Sequence, residues 1–205
     1  MGDSIAGDRV TLKPASNGFT VAEQRRRFEW SRNAELQYWS GRIPTAPSFA
    51  EFCRVLPERD WPSSGQRRSY GILDEGGQLI GMVSCYGIDW EQRTGELGVY
   101  IGETDLWNRG YGTDAVLTLL AHLFTDLRFA IVSLTTYATN TRALKSYEKA
   151  GFRRISTRRR FRPAIGYYRE VAMSVDRETF LALHPTHLQS QPSEPAPFAG
   201  SSVTS

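Results

Sequence analysis

The chain has 205 residues, of which 40% are hydrophobic and 23% charged, which is typical of one soluble globular domain with a real core. The net charge of +3 is too small to require a nucleic-acid partner. Two cysteines, no apolar leader and no apolar run of membrane-spanning length argue against a disulfide framework, secretion and membrane insertion, so we expect a cytoplasmic protein.

The first part of the chain predicts a strand followed by helices. Alternating residues over 9–14 predict a strand that stops at Pro14, at an edge of the sheet. A helix is predicted over 19–39, ended by Gly41 and Pro44, and a second over 49 to about 56. A solvated helix face is expected for Arg25, Arg26, Arg27 and Arg32, with acceptor recognition as the lesser alternative.

A hairpin and a third strand follow. Residues 70–73 and 79–86 predict two strands joined by a turn at 75–77. The third strand is predicted over 95–101, where its glycines at 95 and 98 indicate a bulge or the close approach of another segment.

A glycine-containing loop comes next, at 106–115, and opens a helix. Gly110 and Gly112 let the backbone turn tightly and approach a ligand closely. Apolar residues recur downstream at helical spacing: Val116, Leu119, Leu120, Leu123, Phe124 and Leu127. The first amides of a helix lack intrahelical acceptors, so a strand–loop–helix unit of this kind favours a bound phosphate group.

Three classes of protein use such a loop. A Walker loop needs a Gly-Lys-Ser/Thr sequence that is missing here. A dinucleotide-binding loop, G-x-G-x-x-A, is formally matched by 110–115, but the strand predicted at 131–136 ends without the expected carboxylate. The third class is the acyl-coenzyme A transferases, which the segment at 140–152 supports.

That segment predicts a short helix with clear boundaries. Asn140 is a suitable N-cap, and Gly151 is suited to the position after the helix. Lys145 and Lys149 lie toward the C-terminal end, where positive charge is favourable.

The C-terminal part predicts strands and a tail. Residues 153–162 carry six arginines and are interpreted as a solvated strand whose other face holds Ile155 and Phe161, with RNA contact as the lesser alternative. A last strand is predicted at 167–175, a helical turn at 177–183, and a disordered Pro/Ser-rich tail at 185–205.

Together the two motifs resemble the GNAT N-acetyltransferase superfamily. Its first motif, Q/R-x-x-G-x-G/A, corresponds to Trp107-x-x-Gly110-x-Gly112, and its second, N-x-x-A-x-x-x-Y-x-x-x-G-F, is matched from Asn140 to Phe152. Trp107 in place of Gln/Arg is similar to the branch that acetylates ribosomal-protein N-termini and small amines. The resemblance implies a single α/β domain over 8–184, with a central mixed, mostly antiparallel sheet flanked by helices.

The resemblance further implies acetyl-coenzyme A-dependent N-acetylation of a primary amine by direct attack in a ternary complex. The acceptor is left open between a protein N-terminus and a small amine such as a polyamine, amino acid or aminoglycoside. No metal, DNA or membrane is expected, and a homodimer is expected by analogy alone. The alternatives are a non-catalytic acyl-coenzyme A-binding protein and a ribosome- or RNA-associated protein that uses the strand at 153–162.

Two catalytic residues are proposed, the first of them from this likeness. Tyr147 occupies the position whose hydroxyl lies beside the coenzyme A sulfur in the family, and packing in the helix is its alternative role. Glu96 is the candidate base, with cross-strand pairing as its alternative. Thr135 stands where some relatives carry a carboxylate. A backbone N–H of Val99 or Tyr100 is the candidate donor to the oxyanion.

The coenzyme is expected to contact the third strand, the loop and the second motif. Each of three of these residues also has an alternative role. Trp107 could pack within the loop, Arg109 could be an ordinary surface arginine, and Asn140 could only cap its helix. No metal-ligand spacing is present. The predicted contacts are Val99, Tyr100, Ile101, Trp107, Asn108, Arg109, Gly110, Tyr111, Gly112, Thr113, Asn140 and Ser146.

Overall fold

The computed structural model describes residues 2–40, 45–163 and 165–185, apart from the side chain of Glu58. The predicted helix end at Gly41 and Pro44 and the predicted tail from residue 186 onward lie outside the described residues. Within those ranges, no helix is long and apolar enough to cross a membrane.

One mixed sheet organises the described part of the chain. Its eight strands lie in the order β1-β2-β3-β4-β5-β6-β8-β7. Only β5 and β6 pair in parallel, and every other neighbouring pair is antiparallel, which confirms the predicted mixed, mostly antiparallel sheet. The strands are β1 (Ile5–Ala6), β2 (Thr11–Pro14), β3 (Arg67–Leu73), β4 (Leu79–Asp89), β5 (Thr94–Ile101), β6 (Ile131–Tyr137), β7 (Arg153–Arg162) and β8 (Gly166–Asp176).

Helices flank this sheet, and α4 supplies the centre of the main core. Leu119, Leu120 and Leu123 of α4 are fully buried, as their helical spacing predicts. The same core includes residues of the sheet such as Val83 and Leu134. The helices are α1 (Val21–Arg32), α2 (Ala34–Ser40), α3 (Phe49–Asp60), α4 (Tyr111–Thr125), α5 (Thr141–Lys149) and α6 (Arg177–Leu183).

Strands β5 and β6 separate along their length. They pair only from Thr94 opposite Ile131 to Glu96 opposite Ser133. Over 97–101, the β6-side edge of β5 therefore has no strand partner among the described residues, and its backbone lies along the gap between the two strands. The expected close approach at Gly95 is confirmed, because a Cβ there would lie 2.5 Å from Cys85 Sγ.

A buried carboxylate fixes the beginning of α4 to the N-terminal segment. Asp114 is 6% exposed, and its oxygens accept hydrogen bonds from the amides of Arg9 at 2.9 Å, Val10 at 3.0 Å and Asp8 at 3.4 Å. These backbone donors would otherwise have to be satisfied elsewhere. The contact therefore positions the loop that precedes α4.

The N-terminal boundaries differ from the prediction in three respects. The single helix predicted over 19–39 is two helices, because Asn33 ends α1 and its side chain accepts from the amides of Glu35 and Leu36 to begin α2. Helix α3 continues through Pro57 to Asp60. Strand β2 is not at the edge, since β1 pairs outside it.

The predicted solvated face of α1 is wrong at Arg27. This side chain is 2% exposed and forms an ion pair with Asp60 at 2.5 Å. Its guanidinium also lies over the Phe19 ring, 4.5 Å from the centroid. Asp60, which the sequence places more than 30 positions away, compensates the buried charge.

The predicted inner face of β7 is also wrong. Ile155 is 64% exposed and Phe161 is 61% exposed, although the strand itself forms as predicted. The β7–β8 pair lies at the end of the sheet, so β7 is an edge strand with both faces largely in solvent. Alternation along a strand indicates which residues share a face, but it does not provide an element to cover that face.

Candidate active site

A cavity of about 430 Å³ opens where β5 and β6 separate. Strands β4 and β5 form one wall, and the loop before α4 forms one end. Helix α5, the end of α2, β6 and the first residue of β3 also contribute to the lining. The site is therefore made from segments that lie far apart in the sequence.

The loop ends in an uncapped helix N-terminus. Gly110 is the N-cap of α4 with φ of 92°, a left-handed conformation that favours glycine, and no side chain caps the helix. Intrahelical bonding begins with the amide of Asp114, so the preceding amides of Tyr111, Gly112 and Thr113 lack helical acceptors. These residues line the cavity, and a helix N-terminus of this kind favours an anion such as a phosphate group.

Trp107 holds this loop against β5. Its indole Nε1 donates a hydrogen bond of 2.9 Å to the carbonyl oxygen of Ile101, the last residue of the strand. The guanidinium of Arg142 lies over the same ring, 3.8 Å from its centroid. Trp107 thus packs as well as lining the cavity.

Twelve of the fourteen predicted site residues line this one cavity. Arg109 does not, because it is exposed and its backbone carbonyl accepts a hydrogen bond from the Arg9 side chain. Glu96 does not line it directly. The twelve that do are Val99, Tyr100, Ile101, Trp107, Asn108, Gly110, Tyr111, Gly112, Thr113, Asn140, Ser146 and Tyr147.

Helix α5 is positioned by its own cap and by α4. The Asn140 side chain accepts from the amide of Ala143 at 3.2 Å, so its predicted capping role is confirmed. The hydroxyls of Ser146 and Thr113 lie 2.9 Å apart and join the two helices.

Tyr147 projects from α5 into an apolar environment at the cavity. It is 7% exposed, and its ring packs edge-on against Phe152 at 5.8 Å. Burial raises the pKa of its hydroxyl to about 12. The hydroxyl is therefore protonated at neutral pH and able to donate a hydrogen bond.

Glu96 reaches the cavity through a second tyrosine. The hydroxyl of Tyr86 donates to Glu96 Oε1 at 2.6 Å, and Thr135 Oγ1 lies 3.5 Å from the same oxygen. Tyr86 is opposite Glu96 on the neighbouring strand, and both Tyr86 and Thr135 line the cavity. The carboxylate is thus part of a hydroxyl–carboxylate group at one end of the site.

Sequence reasoning missed several lining residues, notably Arg67, Tyr86 and Arg142. Arg67 is opposite Tyr86 in β3, and its guanidinium lies 4.8 Å from the centroid of the Tyr86 ring. The pairing of β3 with β4 was predicted, but the register that places these side chains in one row was not. Arg142 belongs to the second motif at a variable position, and burial lowers its pKa.

Aromatic side chains from the end of α2 pack against Tyr137 of β6 beside the cavity. Tyr38 stacks on Tyr137 with ring centroids 5.9 Å apart, and Trp39 packs edge-on against the same ring at 6.4 Å. Trp39 also lines the cavity. As for metals, none of the described ranges brings together three or more side chains able to hold a metal ion.

Comparison with known protein families identifies the family of this chain. A family model described as an acetyltransferase (GNAT) domain matches residues 9–153. The chain belongs to the GNAT acetyltransferase family. Both motifs and the separated strands lie within or directly beside the matched range, and the GNAT fold expected from the sequence is confirmed.

Individual relatives are distant. The chain is 24% identical over 114 residues to an uncharacterized N-acetyltransferase of the SPbeta prophage in Bacillus subtilis, covering 55% of this chain and 63% of that protein. It is 27% identical over 164 residues to aminoglycoside N(6')-acetyltransferase type 1 of Klebsiella pneumoniae, covering 74% and 78%.

Among solved structures, spermidine N-acetyltransferase of Vibrio cholerae in complex with CoA and spermine superposes with a TM-score of 0.72. The two are 19% identical, and the match covers 84% of this chain and 98% of that one. This likeness concerns the fold. Together with the family match, the relatives identify the chain as an N-acetyltransferase.

Proposed function

We propose that this GNAT enzyme transfers the acetyl group of acetyl-coenzyme A to a primary amine by direct attack in a ternary complex. The observation that carries the proposal is the continuity of the uncapped α4 N-terminus with the unpaired edge of β5 in one cavity. A ligand with phosphate at one end and amides along its length fits both features.

The loop and β5 bind the coenzyme in this proposal. Amides at 110–113 hold its pyrophosphate, with added charge from Arg109, which lies at the surface of the same loop. Backbone groups of Val99, Tyr100 and Ile101 contact the pantetheine arm beside Trp107 and Asn108. Asn140 and Ser146 line the cavity from α5, next to the loop.

Tyr147 and Glu96 carry the chemistry in this proposal. The amine nitrogen bonds to the acetyl carbon as the carbon–sulfur bond breaks, and an N–H of Val99 or Tyr100 stabilises the oxyanion. The Tyr147 hydroxyl donates to the departing sulfur, which develops negative charge. Glu96, directly or through Tyr86 and a water molecule, accepts the amine proton.

The acceptor in this proposal is a protein N-terminus or a small amine. Relatives named for aminoglycoside and spermidine acetylation support an amine acceptor in general. Trp107 with Arg109, Gly110 and Tyr111 supports a relationship to the branch that acetylates the N-terminal alanine of ribosomal proteins. We further propose a cytoplasmic location and leave a homodimer as an expectation by analogy.

The proposal is tested by thermal shift with acetyl-coenzyme A, NAD and ATP. At a ligand concentration about 100 times Kd, binding adds about 2.7 kcal/mol to the free energy of unfolding. For a domain of this size, that corresponds to a rise in Tm of about 5–10 °C. We expect the rise with acetyl-coenzyme A only, followed by thiol release when an amine is acetylated.

Gly112→Trp provides the variant that links this shift to the loop. A Cβ at Gly112 would lie 3.6 Å from Ile101 Cγ1, an ordinary contact, but an indole would extend into the cavity. We expect an unchanged Tm without ligand and no rise with acetyl-coenzyme A. The control is Gly76→Trp on the exposed β3–β4 turn, which should respond like the wild type. A rise with NAD alone, or a normal rise in Gly112→Trp, would refute the assignment of the loop.

A further inference from the structure

The charge of the cavity is one-sided. Among the described residues that line it are four basic side chains and no carboxylate. Glu96, beside the lining residue Tyr86, already accepts a hydrogen bond from the hydroxyl of that tyrosine. A polycationic acceptor would meet repulsion here without the several carboxylates that compensate such charge. The basic residues are Arg67, Arg142, Lys145 and Lys149.

Three of these cations have an explanation in coenzyme binding. Arg142, Lys145 and Lys149 belong to α5, which is tied to the start of α4 by the Ser146–Thr113 contact of 2.9 Å. They therefore lie on the side of the cavity that holds the phosphate-binding loop. Phosphate groups of the coenzyme account for positive charge on that side.

The positive charge of Arg67 is not explained by coenzyme binding. It pairs with Tyr86, which pairs with Glu96, so the three side chains form one row across β3, β4 and β5. The loop follows Ile101, five residues further along β5. At about 3.4 Å per residue, this row is about 17 Å from the loop end of the strand. Arg67 is thus a cation at the end of the cavity away from the phosphate site.

The chemistry of Arg67 suits a carboxylate. Its guanidinium lies over the Tyr86 ring, 4.8 Å from the centroid, which restricts its position at this end of the cavity. A guanidinium has five N–H donors, so it can keep its contacts within the protein and still bind a carboxylate through two of them.

The spacing within the row defines the acceptor further. Two interstrand steps separate the Cα atoms of Arg67 and Glu96, which is about 10 Å. The guanidinium lies 4.8 Å from the centroid of the Tyr86 ring, and the carboxylate accepts a hydrogen bond of 2.6 Å from the Tyr86 hydroxyl. Both charges therefore lie next to the Tyr86 side chain, within reach of one small molecule that carries an amine and a carboxylate a few bonds apart.

We infer that the acceptor is an amino carboxylate, such as an α-amino acid, whose carboxylate binds Arg67 while its amine lies beside Glu96 and Tyr86. This inference rests on the proposed function and selects among its acceptors. It favours a zwitterionic amine over a polyamine or an aminoglycoside. The apolar side of Trp39 in the same cavity would contact the remainder of the acceptor.

The inference is tested by steady-state kinetics with α-amino acids bearing apolar, aromatic and acidic side chains, each paired with its carboxamide. Spermidine and kanamycin represent the polycations. We expect kcat/KM for the best amino acid to exceed that for its carboxamide and for either polycation by at least about 10-fold. A carboxylate keeps its neighbouring amine more protonated, so this preference cannot come from a larger fraction of neutral amine.

Arg67→Gln assigns the preference to the arginine. We expect KM for the best amino acid to rise about 10- to 100-fold, with little change for the carboxamide, and Arg67→Lys to recover part of the loss. Arg68→Gln is the matched control, because Arg68 is the next residue in β3, lies over Trp61 instead, and does not line the cavity. It should retain the preference.

Three results would overturn the inference. These are a polycation that is acetylated faster than every amino acid, an equal effect of Arg67→Gln on carboxylate and carboxamide, or acetylation of none of the amino acids. Failure of acetyl-coenzyme A to raise Tm would instead overturn the proposed function. The two failures are therefore distinguishable.

Discussion

Replacing Tyr147 with phenylalanine tests the role of one hydroxyl without changing the shape of the site. The side chain is 7% exposed at the cavity and packs against Phe152. Phenylalanine conserves the ring, so we expect the free energy of unfolding to change by less than about 1.5 kcal/mol. Coenzyme affinity should remain close to that of the wild type.

The expected effect on turnover follows from the hydrogen bond to the departing sulfur. A hydrogen bond to a charged group contributes about 1.5–3 kcal/mol. Since about 1.4 kcal/mol corresponds to a factor of ten in rate, Tyr147→Phe should lower kcat about 10- to 150-fold. The bond forms only as charge develops on sulfur, so kcat and kcat/KM should fall together.

The pH dependence distinguishes this role from that of a titrating acid. Burial raises the pKa of Tyr147 to about 12, so its hydroxyl remains protonated from about pH 6 to about pH 10. The factor by which Tyr147→Phe lowers kcat should therefore be constant over that range. The assay is thiol release with a saturating amine, combined with thermal shift for coenzyme binding.

Tyr70→Phe is the matched control. Tyr70 is also buried, at 3% exposure, and burial also raises its pKa to about 12, but it packs against Trp61 and does not line the cavity. It should retain wild-type kcat. Turnover of Tyr147→Phe within twofold of the wild type, or an equal loss in Tyr70→Phe, would refute the assignment of Tyr147.

Two further changes test the base and the support of the loop. Glu96→Gln should lower kcat/KM about 10²-fold or more, whereas exposed Glu91→Gln should not; a kcat/KM within about twofold of the wild type would remove Glu96 as the base. Asp114→Ala leaves the amides of Arg9 and Val10 without their acceptor and should cost about 2–4 kcal/mol in urea unfolding, with Asp114→Asn intermediate. A loss below about 1 kcal/mol would show that these bonds do not anchor α4.

The parts of the site that sequence predicted are those specified locally. Glycine at 110 is required where the chain turns with positive φ, and the apolar residues of α4 recur at the period of its buried face. Asn140 begins α5 by bonding within its own first turn. Each of these effects acts over a few residues, so the order of residues is sufficient to reveal it.

Other features depended on which strands lie side by side. The row of Arg67, Tyr86 and Glu96 exists because β3, β4 and β5 pair in one register, and a shift of one residue would turn these side chains to the other face. Local propensity does not fix that register. Packing of the whole sheet does.

The tertiary structure also decided burial. Arg27 was predicted in solvent, but α3 places Asp60 beside it, while Ile155 and Phe161 of β7 were predicted to face inward and remain exposed at the end of the sheet. By itself, the sequence determined the family, the glycine-containing loop before α4 and twelve of the residues that line the cavity. Only the tertiary structure decided where β5 and β6 separate and which charges meet in the cavity, because both depend on contacts between segments that are distant along the chain.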